Sequence, residues 1–163
     1  MWNNTHIYII RYVYIILSII VTSVSVTQAQ LTNVKEFNTE TVLNQRYVYA
    51  LSQLPNRTLV LSTNEGLVTY DGNIFTNYTT QNGLANDFVT CHIADKKGNV
   101  WCGHYQNGVS VWNKNSGVKK LLSTELKNTK VTAISLYYTS PTAYNVYVFT
   151  MGNGTYVLTN TGK

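Results

Sequence analysis

One run of turns and short apolar segments occurs twice in this chain, and the two copies lie 42 positions apart. Gly66 aligns with Gly108, and Tyr70 aligns with Trp112 in the second copy. Self-similarity at a fixed period means that each period forms one structural unit, which buries its apolar face against its neighbours. This repeat therefore constrains the fold more strongly than composition does.

A short junction precedes each copy. Asn44, Asn86 and Asn128 follow one another at intervals of 42 residues, and a strand-like run begins three positions after each of them. The three runs, YVYAL, VTCHI and VTAIS, are rich in β-branched and aromatic residues. A period of about 40–45 residues filled with short strands is typical of a four-stranded propeller blade.

Each copy divides into predicted strands separated by turns, and Gly66, Gly108 and Gly154 supply the positive φ that a hairpin turn often needs. The predicted strands are 47–51, 58–62, 67–70 and 74–78 in the first copy, 89–93, 100–104, 109–112 and 118–122 in the second, and 131–135, 146–150 and 155–158 in the third. The pattern predicts an all-β fold, a partial β-propeller of four-stranded antiparallel blades behind an N-terminal signal helix. The third copy is longer by four residues between its first two strands, and we place these in a loop at 140–143.

The N-terminal segment has the pattern of an export signal. Arg11 is its only formal charge, and 12–26 is an almost unbroken apolar run, too short for a membrane span of about 20 residues. Small residues at Thr27 and Ala29 predict a signal peptide over 1–29, with cleavage after Ala29. An uncleaved anchor that begins near Ile7 is the alternative, and both readings export the remainder.

Residues 30–163 form the predicted incomplete propeller. Its blades are 47–78, 89–122 and an incomplete blade at 131–163, and 34–37 is predicted to be the outer strand of the closing blade. Propellers have typically 4–8 blades, so we expect further blades downstream in a longer protein. The chain has a net charge of +5, spread thinly. We interpret the lysine pairs 96–97 and 119–120 as solvated charge and expect no nucleic-acid partner.

The segments GLVTYDGNIFTNYTTQNGLANDFV and IADKKGNVWCGHYQNGVSVWN resemble the two-component regulator propeller repeats. The resemblance covers about 42–160 and weakens in the third copy, where Tyr147 stands at the position of Trp101. It implies the exported, periplasmic sensor region of a hybrid histidine kinase of the Bacteroidetes type. The partners it implies are downstream blades, a membrane-linked kinase module, a small polar or glycan ligand, and a second sensor domain in a homodimer.

Two other functions are alternatives to ligand sensing for signal transduction. A secreted or outer-membrane propeller linked to type IX secretion would carry a sorting or anchoring domain downstream. A propeller lyase would need a cluster of His, Tyr and Arg or a metal in the ring centre, and only His104 and Tyr105 hint at one. The sequence contains no nucleophile–base arrangement, phosphate loop or metal-ligand spacing, so we expect no catalytic residue, metal or cofactor in this chain.

His104, Tyr105 and Gln106 interrupt the repeat next to a turn. Aromatic and amide side chains there could stack on and hydrogen-bond a sugar or a similar polar ligand, and the alternative is that they fill a loop and pack between blades. Trp101 and Trp112 stand at repeat positions shared with Leu59 and Tyr70, so we expect them to pack between adjacent blades.

Cys91 and Cys102 are the only cysteines. If 95–98 is the turn, Ala94 pairs with Asn99 and Cys91 faces Cys102 across the strands. Facing Cβ atoms are about 4.5–5.5 Å apart, whereas a disulfide needs about 3.5–4.5 Å. An exported compartment allows the bond, so a disulfide and two small buried thiols both stay open.

Overall fold

The computed structural model describes residues 4–23, 47–121 and 126–160. The chain divides into two units, Met1–Glu36 and Phe37–Lys163. The first unit contains a single described helix, α1 (Asn4–Ser23). No helix among the described residues is long and apolar enough to span a bilayer. The predicted cleavage site and the predicted outer strand at 34–37 lie outside the described residues.

The second unit is built from antiparallel sheets, as predicted. Blade 1 has four strands in sequential order: β1 (Val48–Gln53), β2 (Leu59–Thr63), β3 (Gly66–Tyr70) and β4 (Phe75–Tyr78). A short 3-10 turn, Thr80–Asn82, then begins the connection to blade 2. The hydroxyl of Thr79 caps this turn by accepting a hydrogen bond from the Gln81 amide, and Gly83 ends it in the left-handed region.

Blades 2 and 3 repeat this arrangement. Blade 2 contains β5 (Val89–Ala94), β6 (Val100–His104), β7 (Val109–Asn113) and β8 (Gly117–Leu121). Blade 3 contains β9 (Val131–Tyr138), β10 (Tyr144–Thr150) and β11 (Thr155–Asn160). The three predicted blades are confirmed, and their strand ends differ from the prediction by up to three residues.

The blades pack against one another through apolar faces. Trp112 is buried between blades 1 and 2 in a cluster that includes Val60 and Leu67, with the ring of Tyr78 edge-on at 5.5 Å. Trp101 is buried between blades 2 and 3, edge-on to Tyr144 at 6.1 Å. The prediction that both tryptophans pack between blades is confirmed. One indole fills the space between the two sheets at each of these boundaries.

The pairing register shows that the repeat is not uniform. In blade 1 Leu59 pairs with Tyr70, whereas in blade 2 Val100 pairs with Trp112. Trp101 therefore corresponds to Val60 and not, as the constant spacing predicted, to Leu59. The difference arises in the turn between the second and third strands. In blade 2 this turn contains one more residue than the turn between Thr63 and Gly66.

The four additional residues of the third copy lengthen a hairpin. Tyr138 pairs with Tyr144, so the turn lies at 139–143 as predicted, but it is no longer than the 95–99 turn of blade 2. The insertion instead adds two residues to each of β9 and β10. The prediction of a longer loop is thus wrong, because the added residues continue the ladder and their backbone groups pair with each other. The longer hairpin carries Tyr138 and Tyr144 to the neighbouring turn of blade 2.

Gly103 permits the close approach of blades 2 and 3. A Cβ atom at this position would lie 2.5 Å from Cγ1 of Val131 and 2.7 Å from Sγ of Cys91. We expect Gly103→Ala to lower the free energy of unfolding by about 1–3 kcal/mol, since an overpacked boundary has to shift. Urea unfolding of the full chain measures this change. The double variant Gly103→Ala/Val131→Ala should lose less than the sum of the two single changes, and strict additivity would contradict the steric explanation.

Candidate ligand-binding site

The turn between β6 and β7 is held in place by both inter-blade connections. The Tyr105 amide donates to the Phe88 carbonyl at 3.0 Å, and the Asn107 amide donates to the Lys127 carbonyl at 2.8 Å. The Asn107 side chain donates to the carbonyl of Ala85 at 3.2 Å. Asn107 adopts a positive φ of 66°, which asparagine tolerates better than most residues. These bonds fix the backbone from which Tyr105 and Gln106 project.

His104 lies beneath this turn and does not reach the surface. Its side chain is fully buried, and Nε2 lies 2.9 Å from the Ser110 hydroxyl, which also accepts a hydrogen bond from the Ala85 amide. Burial lowers the pKa of His104 to about 4, so the ring is neutral at ordinary pH. His104 is therefore a packing residue, which is the alternative to a ligand-binding role. Tyr105 and Gln106, by contrast, are exposed.

Tyr105 forms the end of a row of three aromatic rings, which we call the aromatic row. Its ring is 46% exposed and stacks on Phe88 at 5.3 Å with the planes 15° apart. Phe88 in turn contacts Tyr49 at 5.0 Å and 38°. Nζ of Lys130 lies 5.7 Å from the centre of the Tyr105 ring, within the range of a cation–π contact. Side chains from three separate segments thus make one partly exposed, supported surface.

Tyr49, Phe88 and Lys130 were not predicted as site residues. Phe88 and Lys130 each stand immediately before the first strand of a blade, at the same repeat position. Tyr105 and Met151 likewise share a position in the turn between the second and third strands. Both pairs of positions lie at the same end of the strands. In an antiparallel hairpin the beginning of the first strand lies next to the end of the second strand. The shared position could have drawn attention to Phe88 and Lys130, whereas no repeat position marks Tyr49, which joins the row only through its contact with Phe88.

His92 forms a second polar contact between blades, which was also not predicted. Its Nδ1 lies 2.6 Å from the Ser62 hydroxyl and its Nε2 lies 2.7 Å from the Ser52 hydroxyl, so one imidazole joins β5 to two strands of blade 1. Burial lowers the pKa of His92 to about 4. Both ring nitrogens have partners and Ser62 is fully buried, so this contact links the blades.

The predicted facing of the two cysteines is wrong. Ala94 pairs with Val100 rather than with Asn99, so Cys91 lies opposite Gly103 and Cys102 lies opposite His92. The turn contains five residues, and a slip of one residue moves a side chain to the other face of the sheet. Both thiols are free. Burial raises the pKa of each, so neither has the thiolate character of a reactive cysteine.

Asp95 joins the turn of blade 2 to blade 3. One carboxylate oxygen accepts the amides of Lys97 and Asn99, both at 2.8 Å. The other accepts the Asn99 side chain at 2.6 Å and the Tyr144 hydroxyl at 2.7 Å. The Trp101 indole N–H donates to the same Tyr144 oxygen at 3.2 Å. This buried network lies at the end of the strands opposite to the end that carries the aromatic row.

Antiparallel blades packed face to face define a propeller-like fold, and known structures share it. The extracellular domain of the proposed one-component system BT4673 from B. thetaiotaomicron has 23% identity and a TM-score of 0.54, over 70% of this chain and 15% of that one. The extracellular domain of the proposed hybrid two-component system BT3049 from the same organism has 16% identity and a TM-score of 0.58, over 78% of this chain and 20% of that one.

These likenesses show the fold and agree with the family resemblance seen in the sequence. The chain spans only 15% and 20% of the length of those two domains. No protein-family model matches the chain, and no curated protein matches it.

Proposed function

We propose that this chain is part of an extracytoplasmic sensor domain of a two-component system and that the aromatic row contacts its ligand. The observation that carries the proposal is Tyr105, a tyrosine held rigidly by Phe88 and by its own backbone yet left nearly half exposed. A supported ring presents contact area without the entropy loss of ordering a flexible side chain. The likeness to extracellular domains of proposed signalling systems supports the location.

The chemistry of the row suits a ligand with both an apolar face and polar groups. Rings that stay exposed can stack on a flat apolar surface, and Lys130 and Gln106 provide hydrogen-bond donors beside Tyr105. A sugar ring presents such a face together with hydroxyl groups around its edge. We therefore propose a small polar or glycan ligand for this surface.

The outer face of blade 3 supports the proposal of further blades. Phe149 and Val157 are exposed there, and Tyr137 is 61% exposed beside them. In blade 2 the position of Val157 is occupied by Val111, which packs against blade 3. An apolar sheet face is stable when it is buried against another layer of secondary structure. We propose that a downstream blade covers it and that a membrane-linked kinase module follows.

The sensor proposal is tested by Tyr105→Ala in the chromosomal gene. The parent strain induces sets of genes during growth on single polysaccharides, and we expect at least one set to need about fivefold more inducer in the variant. The reason is that a stacking contact contributes about 1 kcal/mol of binding free energy. RNA sequencing across growth on individual polysaccharides measures this response.

Ile74→Ala is the matched control, since it removes an exposed large side chain from the turn between β3 and β4, outside both the aromatic row and the outer face of blade 3. It should leave induction unchanged. If deletion of the whole gene alters no transcriptional response, the sensor role is excluded. If deletion alters a response that Tyr105→Ala leaves intact, the aromatic row is not the ligand surface.

A further inference from the structure

A basic pocket lies between blades 1 and 2, on the side where the first strand of each blade ends. Its volume is about 190 Å³, whereas a single water needs only about 10–15 Å³ of such space. Three turns form it, and each comes from a different hairpin. Lys96, Lys97 and Lys114 line the pocket, and no carboxylate is among its lining residues. The sequence separates Lys114 from the pair by sixteen intervening residues, so only the fold brings these charges together.

The backbone beneath the lysines is fixed before any ligand arrives. Asp95 accepts the Lys97 amide, and its other oxygen is bound to Asn99 and Tyr144, so this buried carboxylate is directed into the protein. The Asn113 side chain donates to the Asn99 side chain at 2.8 Å and accepts the Asn115 amide at 2.9 Å. The two blade 2 turns are thereby joined. A site that is already ordered loses little entropy when it binds.

The roles of the three lysines differ. The Lys96 ammonium lies 4.4 Å from the centre of the Tyr138 ring, so it already has a partner. Lys97 and Lys114 are exposed at the tips of their turns. The pKa of Asp71 is lowered mainly by hydrogen bonds from the Ile74 and Asn73 amides. The nearby positive charge of Lys114 lowers this pKa further. The pocket therefore keeps an excess of positive charge.

A second, smaller pocket adjoins the first and shares Lys114. It is lined by Thr58, Thr69 and Trp112, among others, and has a volume of about 100 Å³. The indole N–H of Trp112 is buried and has no hydrogen-bond partner among the described residues. A buried donor without an acceptor is unfavourable by about 1–3 kcal/mol. The second pocket is also lined by Asp71, so the excess of positive charge belongs to the first pocket.

We propose that the basic pocket binds a tetrahedral oxyanion, the phosphate or sulfate group of an extracytoplasmic compound or the free ion. Such a group carries several oxygen acceptors and a charge opposite to that of the lysines. Ammonium groups on flexible stems suit it, because they act as point charges that adjust to the ligand. This inference stands apart from the sensor proposal, since the pocket and the aromatic row share no residue.

Isothermal titration calorimetry of the full chain tests the proposal with inorganic phosphate, inorganic sulfate, glucose 6-phosphate and glucose 6-sulfate. We expect saturable binding of at least one of them with a Kd of about 1 mM or lower at low ionic strength. The Kd should rise about tenfold in Lys97→Gln and in Lys114→Gln, since each removes one charge-assisted hydrogen bond. Tighter binding of the sugar esters would identify an esterified ligand, and equal binding would identify the free ion.

The double variant Lys119→Gln/Lys120→Gln is the matched control, because it removes two exposed lysines from the outer strand β8. Its Kd should stay within about twofold of the parent. The proposal is overturned if none of the four compounds binds saturably, or if the control weakens binding as much as the pocket variants do. Circular dichroism of each variant confirms that the fold is retained, so a loss of affinity is assigned to the pocket.

Discussion

Asp95→Ala is expected to lower the free energy of unfolding by about 3–5 kcal/mol. The carboxylate is only 3% exposed and accepts four hydrogen bonds, two from backbone amides and two from the side chains of Asn99 and Tyr144. Alanine would leave these donors without a partner, and each buried unsatisfied donor is unfavourable by about 1–3 kcal/mol. Because folded domains are stable by only about 5–15 kcal/mol, the variant should be close to unfolding. Urea unfolding monitored by tryptophan fluorescence measures the loss.

Asp71→Ala is the control for this prediction. Asp71 occupies a turn of blade 1 and accepts the amides of Asn73 and Ile74, both at 2.9 Å, but it is exposed to solvent. Water can replace the carboxylate there, so we expect a clearly smaller loss than at Asp95. Equal losses would show that each aspartate acts only on its own turn. Tyr144→Phe, which removes only the hydroxyl, separates the contact with blade 3 from the turn itself.

Stability is expected to fall as the pH is lowered from 7 to 5. Burial lowers the pKa values of His92 and His104 from 6.5 to about 4, so the unfolded chain binds protons that the folded chain does not. The contribution of the neutral rings is therefore fully present above about pH 6.5 and is lost as the pH falls through the window down to about 4. Linkage gives about 2 kcal/mol for each histidine at pH 5 relative to pH 7.

Urea titrations at a series of pH values measure this dependence. His92→Gln should lose about half of it, because His104 continues to titrate. His104→Gln should do the same, and the double variant should retain little of the dependence. A parent chain whose stability is unchanged between pH 7 and pH 5 would show that neither ring is held neutral by burial.

Local structure and strand pairing in this chain have different physical origins. Strands and glycine turns depend on contacts within one hairpin, and alternation of buried and less buried side chains is visible in strands such as Tyr144–Thr150. Pairing across a turn depends on the number of residues in the turn. The turn at 95–99 has five residues, one more than the four that the sequence pattern predicts. This additional residue shifts the pairing register by one, so Cys91 lies opposite Gly103 instead of Cys102.

Polar contacts between blades were not predictable, because their partners come from distant positions. His92 binds serines forty and thirty positions earlier in the chain, and Asp95 binds Tyr144 forty-nine positions later. No local pattern marks such pairs. The candidate site shows the same limit: Tyr105 interrupts the repeat and is visible in the sequence, whereas Tyr49 lies within an ordinary strand and gains its role only by contact.

The sequence by itself determined that the chain is a series of antiparallel blades with a 42-residue period and one large ring at each boundary. Tertiary structure decided which exposed side chains share a surface. Stacking the blades placed Tyr49, Phe88 and Tyr105 in one row, and on the opposite side it gathered Lys96, Lys97 and Lys114 around one pocket. The physical reason is that blade packing fixes the distances between turns that no single hairpin controls, and those distances create the sites.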